Sequence, residues 1–139
     1  MAYIESLIPG IKMFIKGRGC IIALTSGAIL AIYVYVLESL STHYTVLALT
    51  ITSTISAILM DNFILVNTLR GLYVSGAPPS FIRRVLLCYG LLISMTISLP
   101  LIITFKCWFK LVTPILTFIV AYTILTFMYK RLSREGIML

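Results

Sequence analysis

NTLRGLYVSGAPPSFIRRVLLCYGLL, residues 67–92, is the stretch where polar residues, Gly and Pro interrupt an otherwise apolar chain. It starts inside an amphipathic segment. Leu65, Leu69, Leu72 and Tyr73 recur at helical spacing, with Asn67, Thr68, Arg70 and Gly71 on the other side, which predicts a helix lying at an interface. Gly76 is free to take the positive φ that ends a helix, and Pro78 and Pro79 lack the backbone N–H needed to continue one. The chain is therefore expected to turn over residues 76–79. A new helix is predicted to open at Ser80, an N-cap residue type, with Arg83 and Arg84 in its first turns ahead of a long apolar run. Adjacent arginines in that position mark a membrane boundary, on the cytoplasmic side.

Working outward, the composition agrees. The 139 residues are 60% hydrophobic and only 11% charged, and the mean hydropathy of +1.10 excludes an ordinary soluble domain. The formal net charge of +7 sits in short clusters between and beyond apolar runs. That pattern belongs to membrane topology and anionic lipid head groups, so no nucleic-acid partner is expected. Cys20, Cys88 and Cys107 form no C-x-x-C pair and lie in or beside apolar runs, while the single His43 is remote. They are expected to be packing residues, with no metal and no cofactor.

The expected fold is all-α and polytopic: an N-terminal helix over residues 1–18 and a four-helix transmembrane domain over 19–139. In the first segment Ile4, Leu7, Ile8, Ile11, Phe14 and Ile15 are interleaved with Glu5, Lys12, Lys16 and Arg18, and Pro9 and Gly10 interrupt the pattern. It reads either as an interfacial amphipathic helix or as a plain basic anchor for the first span. Spans are predicted at about 19–40, 44–66, 81–104 and 109–129, each long enough at about 1.5 Å per residue to cross a core of about 30 Å. Ser41, Thr42 and His43 make a tight hairpin between the first two. The first apolar run shows no small-residue cleavage site, and is expected to be retained rather than removed as a signal peptide.

Small residues recur every fourth position in each span: Gly19, Ala23, Gly27 and Ala31; Ala48, Thr52 and Ser56, with Ser53 and Ala57 as a second ridge; Gly90, Ser94 and Ser98; and Thr113, Thr117 and Ala121. Such stripes let helix backbones approach closely in lipid. Pro100 is expected to kink or end the third span, and Trp108 in the following turn suits an interface. Lys12, Lys16, Arg18, Arg70, Arg83, Arg84, Lys130, Arg131 and Arg134 fall on one side under this topology and only Lys106 and Lys110 on the other. Basic residues are retained inside, so a cell-membrane protein with both termini and residues 67–80 in the cytoplasm is expected. Asp61, near the inner end of the second span, is expected to pair with a basic residue there ahead of conducting ions or protons. Glu38 is expected to reach water beside the outer hairpin.

No phosphate loop, H-E-x-x-H, G-x-S-x-G or paired-carboxylate constellation is present, and the chain is not expected to be an enzyme. Residues 69–92 resemble the cytoplasmic coupling segment and following span of FtsX-like (MacB-type) ABC transporter permeases. Leu72, Gly76 and Ala77 stand where that family commonly has Leu-Arg-x-x-Gly-Ala, and Ile82, Arg83 and Arg84 follow. The chain departs from the family in having Asn67 and Thr68 where an Arg-Glu pair is usual. It also has only residues 41–43 where a large extracytoplasmic domain is typical. The resemblance implies a reduced four-helix permease subunit whose coupling helix docks on a separate cytoplasmic ATPase through Leu69, Arg70, Leu72, Tyr73, Ser75, Gly76 and Ala77. It further implies a homo-oligomer or a pairing with a related membrane subunit. The alternative is a structural or assembly subunit that oligomerises in the membrane through its small-residue stripes. A lone ion or metabolite transporter has only the Ser and Thr of the second span in its favour.

Overall fold

The computed structural model describes residues 2–36, 43–104 and 109–134. Among the described residues the chain is helical without strands: α1 (Ala2–Lys16), α2 (Arg18–Val36), α3 (His43–Met60), α4 (Asn62–Val74), α5 (Pro79–Thr104) and α6 (Phe109–Arg134). The hairpin at Ser41 and Thr42, Glu38, and the turn holding Lys106, Cys107 and Trp108 lie outside the described residues. Three helices are long and apolar enough to cross a membrane, over Arg18–Val36, Pro79–Ile103 and Val112–Arg134. Those are the dimensions of a multi-pass membrane protein.

The span expected at 44–66 is not one straight helix. Thr45–Met60 and Asn62–Val74 meet at a bend of 57°. Asp61 occupies the break with φ −88 and ψ 2, in the bridge region between helix and strand. The amphipathic pattern read from Leu65 onward belongs to a helix that begins at Asn62 and runs to Val74. Of its predicted apolar face, Leu65 and Leu69 are fully buried in the bundle and Leu72 is half-buried, whereas Tyr73 is exposed. Gly76 has φ +75, as its place in the turn requires. Ser80 is not the N-cap of the next helix. The Pro78 carbonyl accepts from Phe81 N at 2.9 Å and Ile82 N at 3.2 Å, making Pro79 the first helical residue. Proline suits that position because its fixed φ is helical and its missing N–H would be unpaired there anyway.

α5 is the axis of the molecule. Half of its span, 50%, is buried, against 28% for α2 and 22% for α6, and α1, α2 and α6 pack most extensively on it. α1 runs unbroken through Pro9 and Gly10, which were expected to interrupt it. Gly10 lies directly on α5, where an added Cβ would stand 3.0 Å from Cys88 Cβ and 3.2 Å from the Val85 carbonyl oxygen. Met13 turns into the core, and Leu7, Ile8, Ile11 and Ile15 face outward. Helix α1 thus presents an apolar face away from the bundle while its glycine side is docked.

The small-residue stripes behave unequally. Gly19, Ala23, Gly27 and Ala31 are all buried, and Gly27 abuts α5 with the Ile97 carbonyl oxygen 3.2 Å from where its Cβ would be. Gly90 faces Leu125 and Ala121 of α6, and Ser94, Ser98, Thr113 and Thr117 are buried. On α3 the expected stripe of Ala48, Thr52 and Ser56 is exposed; of the second expected ridge Ala57 is buried and Ser53 half-buried, and Val46, Thr50, Thr54 and Ile58 are buried on that inward side. Both faces of this helix carry small residues at helical spacing. The inward one is the face that continues into Asp61. Most hydroxyls bond back into their own helix, as Thr54 to the Thr50 carbonyl at 2.7 Å and Ser98 to that of Ser94 at 2.7 Å, which satisfies them without a ligand.

Candidate functional site

Asp61 is the best-defined polar site. It is 1% exposed, at the junction of α3 and α4. Tyr89 Oη of α5 donates to Asp61 Oδ2 at 2.5 Å, and Gly19 N of α2 donates to Oδ1 at 2.7 Å. Neither donor is a basic side chain, so the partner expected for this carboxylate is replaced by a phenol and a peptide N–H. Asp61 makes no side-chain cap to its own helix α4. Its carboxylate instead reaches the first turn of α2, where unpaired N–H groups and the helix dipole favour a negative group. One side chain thereby joins α2, α5 and the α3–α4 elbow at a single point.

Two glycines make room for it. At Gly17 and at Gly19 an added Cβ would fall on the Asp61 carboxylate, and at Gly19 it would also lie 2.7 Å from the Ala57 carbonyl oxygen. The run Gly17-Arg18-Gly19 is therefore a seat for the carboxylate as well as the start of a packing stripe. The sequence marked Asp61 and Gly19 separately; Tyr89, inside an apolar run, carried no such mark. Chemically the arrangement is a structural clasp. Both carboxylate oxygens are occupied, and among the described residues no three His, Cys, Asp or Glu gather to hold a metal.

The expected docking residues split. Leu69 is fully buried and belongs to the same bundle core as Ile82, Val85 and Leu86. Leu72 and Ala77 are half-buried. Arg70, Tyr73, Ser75 and Gly76 are exposed, as is Val74. The accessible surface of α4 is thus its C-terminal tip and the turn after it, capped by Ser75 N and Gly76 N donating to the carbonyls of Gly71 and Tyr73 at 3.0 Å each. Of the packing residues, Gly19, Ala23, Gly27, Ala31, Gly90, Ser94 and Ser98 are all buried between helices. No family model, curated protein or solved structure matches this chain.

Proposed function

We propose that the chain is a membrane-embedded permease subunit of an ABC-type complex, in which α3 and α4 together make a fourth, broken crossing and the α4 tip receives a separate cytoplasmic ATPase. The observation that carries this reading is the two-sided character of α4. Leu65 and Leu69 are fully buried, while Tyr73 and Val74 at its end are 44% and 74% exposed. An element rooted in the core and exposed at its tip is what a coupling lever requires: a push on the tip moves the packed face, and with it α1 and α3, on which α4 rests. The Asp61 clasp then holds the elbow so that motion of α4 is shared with α2 and α5 rather than absorbed in the bend.

The test is to purify the tagged chain from its native membrane and assay what co-purifies for ATP hydrolysis. A stoichiometric ATPase is expected, with Tyr73→Asp and Val74→Asp abolishing its stimulation while the bundle stays folded. Retention of full stimulation in both variants would refute docking at this tip.

A second reading has its own observation. The Ala48, Thr52 and Ser56 stripe faces outward from α3, which leaves a close-approach surface unused within one chain. It favours assembly of several copies in the membrane. A large homo-oligomer without an ATPase, dispersed by Ala48→Leu, would establish that reading in place of the first.

A further inference from the structure

The bend at Asp61 opens a groove that the packing of the bundle does not fill. α3 packs along α6, whereas α4 leans onto α1. Between the elbow and the C-terminal half of α6 there remains a cleft of ≈ 440 Å³, with Leu59 and Val66 on one wall and Ile124 and Met128 on the other. Its size is within the range of about 300–1,000 Å³ typical of ligand sites. Phe127 and Arg131 line this cleft and also a neighbouring concavity that adds Lys130 and Arg134. An apolar slot is thus continuous with three basic side chains at the end of a membrane helix.

From that juxtaposition we infer that the cleft between the α3–α4 elbow and α6 binds one anionic phospholipid, its acyl chain along Leu59, Val66, Ile124 and Met128 and its phosphate on Lys130, Arg131 and Arg134. Charge complementarity selects this occupant. A zwitterionic lipid brings a compensating cation to the basic end, and a soluble anion has no use for the apolar slot. Arg131 is the residue common to both halves, and a guanidinium matches a phosphate through paired N–H donors.

The chain in nonionic detergent, mixed with equal amounts of dioleoylphosphatidylglycerol and dioleoylphosphatidylcholine, is read by native mass spectrometry. One phosphatidylglycerol is expected to be retained, at least about tenfold in preference to phosphatidylcholine. Arg131→Gln should reduce that retention about fivefold, the effect of one basic residue near a membrane surface. Leu59→Trp should prevent it by filling the slot with every charge still in place. Leu59 is 58% exposed, so the larger ring needs no rearrangement of the core, and unchanged elution and helicity certify the fold. Equal retention of the two lipids would overturn the inference. So would loss in Arg131→Gln with none in Leu59→Trp, which marks diffuse attraction to the basic end, or a shift of Leu59→Trp from dimer to monomer, which gives the cleft to a second copy. None of these readouts involves an ATPase, so they stand apart from the docking proposal.

Discussion

Tyr89 is a residue whose hydroxyl matters more than its ring. Its phenol is buried and donates to a buried carboxylate, so Tyr89→Phe removes one bond to a charged acceptor and leaves Asp61 Oδ2 unpaired. A loss of roughly 1–3 kcal/mol is expected, read as a lower midpoint in unfolding of the detergent-solubilised chain. The glycines separate by what surrounds them. Gly19→Ala meets both Asp61 and the Ala57 carbonyl, neither able to retreat, and is expected to cost roughly 3 kcal/mol or more. Gly71→Ala has open space around its Cβ within α4 and is expected to stabilise by about 0.5–1 kcal/mol. If both alanine variants behaved alike in the same assay, the seat around Asp61 would not be as tight as described. Among the described residues, Thr113 Oγ1 is the buried side-chain polar atom without a hydrogen-bond partner. Thr113→Val, of the same shape, should therefore gain roughly 1 kcal/mol in the unfolding assay rather than lose it.

At the scale of elements, α4 shows how one amphipathic pattern serves two ends. Its positions 65 and 69 turn into the bundle, and one turn later the same face emerges at the tip, where Tyr73 is 44% exposed. Aspartate substitutions along that face should divide accordingly. Leu69→Asp buries an unpaired charge and is expected to abolish folding, whereas Tyr73→Asp should leave elution and helicity unchanged. Limited proteolysis of the two variants in detergent reads the difference, and equal resistance would mean that α4 is not rooted in the core. The packing of α2 on α5 through Gly27 is a second element-scale feature. A larger side chain there meets backbone oxygens of Ile97 and Thr96 at 3.2 and 3.3 Å, which belong to the helix the whole bundle leans on.

For the whole molecule, the number of crossings decides where the ends lie. Three helices qualify as spans by themselves, and the bent pair adds a fourth if it counts as one broken crossing. With four, both termini share a side; with three, they oppose. Reporters fused at Met1, in the turn after Gly76, and at Leu139 are expected to report all three positions as cytoplasmic, following the basic residues. Opposite signals from the two termini would turn the α3–α4 pair into a re-entrant element and would remove the α4 tip from the compartment where an ATPase works.

The helical class, the apolar runs, the turn at Gly76 and the small-residue inward faces of α2, α5 and α6 were all legible in the chain, because they follow from local rules. Hydrophobicity sets spans, glycine and proline set turns, and the 3.6-residue repeat sets faces. Four features were decided only by tertiary structure: the elbow at Asp61, the continuity of α1 through Pro9, the choice of face on α3, and the burial of Leu69. Each depends on a partner far away in sequence. Asp61 breaks its helix where its carboxylate meets Tyr89 and Gly19, 28 and 42 residues distant. Gly10 rests on Cys88. α3 carries small residues on both sides, so periodicity describes its faces equally well, and only packing against the other helices selects the one that turns inward.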